Sequence, residues 1–261
     1  MTGLVVDGIS VHFGGLSALE DVSFTVGPAE VCGVIGPNGA GKTTLFNVIC
    51  GFVTPSDGTL AWEGARLRSK PHALVRAGIA RTLQGVGLFA GLTALENVMV
   101  GAAHTRRAGF VSPLLGLPRS DRDEDRLRRD ALGWLERLGV ADDAHRLPAT
   151  LPYPVQKRVA LARALVSRPR LLLLDEPAGG LGGDDMDALA ALIRSLPTDA
   201  GQPCAVLLVE HHMDLVMGVC DQVVVLDFGR VVAAGPPDRV RADPHVAAAY
   251  LGVDVPTEAA T

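Results

Sequence analysis

No stretch of the 261-residue chain approaches the ~18 consecutive apolar residues that a transmembrane helix requires. The longest apolar runs, such as Leu171–Leu174 and Cys204–Val209, are strand-sized. The first residues carry no charged segment followed by an apolar run, so no secretory signal is expected. None of the four cysteines (Cys32, Cys50, Cys204, Cys220) belongs to a CxxC pair, which predicts buried free thiols rather than disulfides or zinc ligands. Repeats and low-complexity blocks are absent as well. Basic charge is short: 24 Lys+Arg face 29 Asp+Glu, a net charge of −5 that gives no general field for nucleic acid. Lysine is the scarcest cation, with Lys42, Lys70 and Lys157 alone, so the setting of Lys42 carries weight. A soluble, cytoplasmic protein is expected.

What is present suffices for a core. The chain is 48% hydrophobic and 20% charged, which fits one large domain, or one domain carrying an inserted subdomain. Ile9, Val11 and Phe13 alternate with polar neighbours, and Val22, Phe24 and Val26 repeat that period of two, so the first third reads as strands. Val31–Ile35 is a short apolar run, followed by a Gly-rich turn and a helix expected over Thr44–Cys50. From about residue 92 to 168 the pattern turns helical. Leu127, Ala131, Trp134, Leu135 and Leu138 fall on one helix face, with the charged stretch Asp121–Asp130 as its solvated face and approach. Gly109–Pro118 reads as a loop, and a further helix is expected from Gln156 to Ser167, before Pro169. Strand runs return at Leu171–Asp175, Cys204–Glu210 and Val223–Leu226, with helical stretches between the first two and after Glu210. That alternation predicts a largely parallel α/β sheet interrupted by a helical insertion. The tail after Gly252 is polar and expected to fray.

Gly36-Pro37-Asn38-Gly39-Ala40-Gly41-Lys42-Thr43 fits G-x-x-x-x-G-K-[ST] between a strand-like and a helix-like run. Glycines let successive backbone N–H groups point into one concavity that binds phosphate oxygens, and the following helix adds its positive dipole end. Lys42 reaches the β- and γ-phosphates, and the Thr43 hydroxyl suits Mg²⁺. Roughly 0.3% of shuffled chains of this composition would carry the pattern, so a chance turn is a poor account. Leu171–Leu174 ends in Asp175 and Glu176, at the strand end where an α/β sheet forms its ligand crevice. Asp175 would hold Mg²⁺, and Glu176 would polarise a water for attack on the γ-phosphate.

These residues resemble the ATP-binding subunits of ABC transporters, most of all those of branched-chain amino acid importers. The resemblance runs from Val11-His12-Phe13-Gly14-Gly15-Leu16 to Ala249-Tyr250-Leu251-Gly252. Arg81-Thr82-Leu83-Gln84 is similar to that family's Q-loop, and Val209-Glu210-His211-His212-Met213 to its switch-histidine segment. The implied fold is a P-loop α/β ATPase with an N-terminal antiparallel β subdomain and an inserted α-helical subdomain. Residues 1–91 would hold the β subdomain and the first part of the core, and 92–168 the insert. Residues 169–235 would complete the core, and 236–261 form a C-terminal helix and tail. Implied nucleotide contacts are Gly36, Asn38, Gly39, Ala40, Gly41, Lys42, Thr43 and Thr44, with Phe13 stacking on adenine unless, as a strand aromatic, it packs in the core. Thr43, Gln84 and Asp175 would serve Mg²⁺, while Glu176, His211 and Gln84 would act in ATP hydrolysis.

The resemblance also exposes departures. Where the family usually reads Leu-Ser-Tyr-Gly-Gln-Gln in its signature, this chain reads Leu151-Pro152-Tyr153-Pro154-Val155-Gln156. Proline offers neither the hydroxyl nor the N–H that meets the γ-phosphate held by the opposite subunit. Gly182 stands where the family carries Asp or Asn. The expectation is therefore a heterodimer with a second ABC ATPase subunit, in which one ATP site is competent. Two transmembrane permease subunits and, indirectly, a solute-binding protein would complete the complex at the cytoplasmic face of the inner membrane, with no nucleic acid partner. The alternative is a nucleotide-sensing regulatory subunit with little hydrolysis of its own.

Overall fold

The computed structural model describes residues 3–67, 70–82, 85–102, 118–199 and 202–246. Its strands are β1 (Leu4–Phe13), β2 (Leu16–Val26), β3 (Val31–Ile35), β4 (Asp57–Trp62), β5 (Ala65–Arg66), β6 (Ile79–Arg81), β7 (Leu171–Asp175), β8 (Ala205–Val209), β9 (Gln222–Asp227) and β10 (Arg230–Gly235). They make two sheets. One is antiparallel, in the order β2-β1-β4-β5; the other runs β10-β9-β3-β8-β7-β6 and is parallel except at β10.

Alternation builds the first sheet, but with slips of phase. Leu4 and Val6 face inward, then the register shifts beside Gly8 (φ +61°), and Ile9 and Val11 take over the buried face. Further shifts between Ile9 and Val11 and after Val11 turn Phe13 out, so it is 52% exposed and the core-packing option is removed. The central parallel strands are different. Every residue of β3 and β8 is buried, as expected for strands covered on both faces.

Three apolar layers hold these parts together. The helix Lys42–Ile49 fills the space between the two sheets with Leu45, Phe46 and Ile49. The helices Gly183–Ser195 and Met213–Val219 cover the opposite face of the parallel sheet with Leu189, Ile193, Leu215 and Val216. A third core belongs to the inserted helices Ala94–Gly101, Pro118–Arg137 and Tyr153–Leu165. Leu127, Ala131 and Leu135 are buried there, while Trp134 and Leu138 lean on both this core and the one over the sheet. All four cysteines are free and buried, and burial pushes the Cys204 and Cys220 thiols up to about 12.

Several boundaries differ from expectation. The helix after the glycine turn starts at Lys42 rather than Thr44, because Gly41 (φ +100°) makes the left-handed entry directly before it. The helix expected from Gln156 begins at Tyr153 and ends at Leu165. Pro154 does not stop it, since a first-turn proline lacks only an N–H that has no intrahelical acceptor. The charged stretch Asp121–Asp130 lies wholly inside the helix Pro118–Arg137, where Glu124, Asp125, Arg126, Arg128 and Arg129 are solvated as expected, and no part of it serves as an approach. Most of the expected loop at 109–118 and the tail after Gly252 lie outside the described residues. Among the described residues no helix is long and apolar enough to cross a membrane.

Candidate functional site

Three neighbouring strands deliver the candidate site. In the sheet β8 lies between β3 and β7, with Val209 level with both Val34 and Asp175. The carboxyl ends of the three strands therefore open into one crevice, carrying the Gly36–Thr43 loop, the Asp175–Glu176 pair and the Glu210–His212 segment.

Two of the loop's glycines, Gly36 and Gly41, are sterically imposed, while Gly39 has open space around it and a φ of +83°. A Cβ on Gly36 would stand 2.1 Å from the Leu226 carbonyl oxygen, and one on Gly41 2.7 Å from that of Ala18. At these two positions the loop lies against β9 and β2 with no room for a side chain. Ala40 is buried, and its carbonyl accepts the Gly229 N–H at 3.1 Å, fastening the loop to the β9–β10 turn. Lys42 folds its ammonium back over the loop, donating to the carbonyls of Gly36 (2.6 Å) and Pro37 (2.9 Å). Burial pushes its pKa down, while the Glu176 carboxylate opposes that shift. Asn38, Gly39 and Thr43 are exposed and Thr44 is half-buried. The concavity and the Thr43 hydroxyl are thus open to a phosphate chain.

Opposite the loop, burial raises the Asp175 pKa, and the neighbouring Glu176 carboxylate raises it further, against the lowering effect of Arg81. Two close, half-buried carboxylates with that much unneutralised charge suit a divalent cation as donor set. Glu176 follows with φ +47°, an unusual conformation for a non-glycine residue that costs of order 1–3 kcal/mol. Its N–H is held by the Val209 carbonyl at 2.9 Å. His211 Nδ1 lies 4.0 Å from Glu176 Oε1 and 3.7 Å from Glu210 Oε2. The structure therefore brings Lys42, Asp175, Glu176 and His211 around one crevice, with Phe13 exposed at the end of β1. Gln84 lies outside the described residues.

Two residues escaped the sequence reading. Glu210 is fully buried, and its carboxylate accepts three backbone N–H groups: Ala178 at 2.7 Å, His211 at 2.9 Å and His212 at 3.2 Å. It thereby ties the segment after Glu176 to the one that presents His211. The signal available was an acid closing the unbroken apolar run 204–209. Asn97 is also fully buried; its Oδ1 accepts the Phe89 N–H, and its Nδ2 donates to the carbonyls of Phe89, Leu92 and Thr93. It fixes the segment 89–93 to the inserted helices.

The signature-like segment sits at the start of the helix Tyr153–Leu165. Pro152 occupies the N-cap with no side-chain hydrogen bond, where Ser would offer a hydroxyl, and Pro154 in the first turn has no N–H. Gly182 caps the helix Gly183–Ser195, and a Cβ there would meet nothing within 4 Å. Beside Glu176 a largely apolar cleft of about 310 Å³ lies between this helical layer and the helix Gly183–Ser195; Leu138, Leu161, Leu181 and Leu189 line it.

A family profile described as ABC transporter matches residues 19–179, and a second, for branched-chain amino acid ATP-binding cassette transporters, matches residues 230–256. The high-affinity branched-chain amino acid transport ATP-binding protein BraF of Pseudomonas aeruginosa is 40% identical over 250 residues, 95% of this chain and 97% of its own length. Its counterpart LivG of Escherichia coli is 39% identical over the same shares. A crystal structure of an ABC-transporter ATP-binding cassette in its ADP conformation superposes with a TM-score of 0.82 at 29% identity, over 97% of this chain and 100% of that one. The phosphate loop, the acid pair and the histidine on adjacent strand ends thus stand within a sequence and a fold shared with these proteins almost end to end. The chain belongs to the ATP-binding proteins of ABC transporters, in the branched-chain amino acid transport family, and is an ATPase whose hydrolysis of ATP is coupled to transport.

Proposed function

We propose that this chain energises uptake of branched-chain amino acids, or a related small solute, through separate membrane subunits, and does so paired with a different ATPase subunit. The named relatives BraF and LivG support the cargo class. The asymmetry of the chain's own residues supports the pairing. Its phosphate loop, Asp175, Glu176 and His211 form one coherent crevice, whereas the helix start it would offer to an opposite subunit carries Pro152 and Pro154. The observation that carries this reading is the missing donor at that helix start.

In the competent site, the loop N–H groups and Lys42 hold the β- and γ-phosphates, and Phe13 stacks on adenine. Thr43, Asp175 and Gln84 would hold Mg²⁺, which would supply charge neutralisation at the phosphates. Glu176 accepts a proton from the attacking water, and His211 steadies the γ-phosphate in line with it. Nucleotide-driven closing and product-driven opening of the dimer then move the membrane subunits. The second composite site, completed by this chain's proline-bearing segment, binds ATP and turns it over poorly.

The test is Glu176→Gln, which removes the base and retains bound ATP. Light scattering of this variant alone, with and without ATP, should return a monomer although ATP binds. A tight ATP-dependent homodimer would overturn the one-site reading.

A further inference from the structure

We propose that Lys157 is a positioning residue for Glu176, tying the helix that starts at the signature-like segment to the carboxylate of this chain's own ATP site. Lys157 is one of the three lysines in the chain. It lies in the second turn of the helix Tyr153–Leu165, and its Nζ donates to the carbonyl of Pro177 at 2.9 Å and of Glu176 at 3.3 Å. The same Nζ stands 5.4 Å from the centre of the Tyr153 ring. That ring lies against Gly180, where a Cβ would stand 2.9 Å from Tyr153 Cε1. The first two turns of the helix therefore sit on residues 176–180 through one ammonium and one aromatic ring.

Glu176 needs such a grip. Its φ of +47° is unfavourable for a side-chain-bearing residue, so the surroundings must hold it. Its N–H is bound by Val209, and two residues on the Ala178 N–H is bound by Glu210. Lys157 supplies the third fixed point, on the carbonyl of Glu176 itself. Burial pushes the lysine pKa down, and the Glu210 and Glu176 carboxylates oppose that shift. The apolar cleft lies at this contact, with Lys157 and Glu176 both on its wall. A shift of the helical layer across that cleft would carry Lys157 with it and reorient Glu176. The helix start facing one composite site is thus linked to the base of the other.

This inference rests on Glu176 acting as the base, and the experiment separates the two. Lys157→Met, Lys157→Gln and Lys157→Arg are compared with Glu176→Gln in the transporter complex isolated through a tag on this chain. Lys157→Met should lower kcat at least tenfold while KM for ATP stays within twofold and Tm within a few degrees. Lys157→Gln, which keeps an NH₂ group but loses the charge and some reach, should fall between, and Lys157→Arg should restore most of kcat. A Lys157→Met enzyme within twofold of wild-type kcat, beside an inactive Glu176→Gln, overturns the inference alone. So does a loss of kcat that Arg does not rescue, or one accompanied by an equal rise in KM and a collapse of Tm. Wild-type turnover by Glu176→Gln would instead remove the reading on which the inference stands.

Discussion

Replacing Glu210 by glutamine probes the hub behind the catalytic segment. The carboxylate is fully buried, with Oε1 accepting from Ala178 at 2.7 Å and Oε2 from His211 and His212 at 2.9 and 3.2 Å. Glutamine keeps the shape but converts one oxygen into an NH₂ donor. The amide oxygen will favour the side with two N–H groups, which sets the NH₂ against the Ala178 N–H. One charge-assisted hydrogen bond, about 1.5–3 kcal/mol, is then lost, and the stranded N–H adds about 1–3 kcal/mol. Relief of the buried charge offsets part of this. The balance is a destabilisation of about 3 kcal/mol, or roughly 6–12 °C in Tm for a domain of this size, read by scanning calorimetry. Turnover should fall at least tenfold at temperatures where the variant is still folded, because Ala178 and His211 flank the reacting groups. A variant with wild-type Tm would refute the reasoning, since it would mean that an ionised carboxylate is not what joins the two segments.

Asn97→Ala should cost about 3 kcal/mol, because it strands the Phe89 N–H and the Leu92 carbonyl, whereas the Phe89 and Thr93 carbonyls keep the backbone N–H groups of Leu92 and Asn97; hydrogen exchange should quicken at Phe89 first. Gly41→Ala forces a Cβ to 2.7 Å from the Ala18 carbonyl at φ +100°; ATP affinity measured by calorimetry should drop at least a hundredfold. For Asp175 the pKa is raised, so its favourable contribution to stability is present below about pH 4 and is lost as pH rises through the raised value. Asp175→Asn should therefore melt above wild type near pH 7 in metal-free buffer, with the gap closing on acidification, while Mg²⁺-dependent hydrolysis disappears. Melting below wild type under those conditions would contradict the assigned cause of the shift.

Much of the fold was legible because its elements are self-announcing. Leu171–Asp175 is buried from Leu171 through Leu174, so its apolar run marked the strand to the residue. The glycine loop was legible because close contacts with β9 and β2 exclude side chains at Gly36 and Gly41, and that exclusion is written as glycine. Phe13 was not, because the phase of a strand depends on register slips set by its partner β2. The early start of the helix at Tyr153 was missed because proline signals a break and a first turn alike. Glu210 was unreadable for a different reason. Its main partner, Ala178, is thirty-two residues away, and local pattern holds no record of a hydrogen bond across adjacent strands. The same holds for Lys157, whose acceptors are the carbonyls of Glu176 and Pro177.

The placement of the helical insert has a consequence for how the chain folds. β6 and β7 are adjacent and parallel, with Ile79 level with Leu171 and Arg81 with Leu173. The chain leaves β6 after Arg81 and returns at Leu171, two residues back along the neighbouring strand, a gap of about 8 Å. Pairing these strands around an unfolded segment of about ninety residues would cost about 4 kcal/mol in closure entropy. The three inserted helices contact one another closely and carry their own core, so they can collapse first and bring the two strand ends together. The insert then acts as a preformed clasp for the edge of the sheet. Refolding should accordingly slow when Leu135 or Val159, both buried in that core, is truncated.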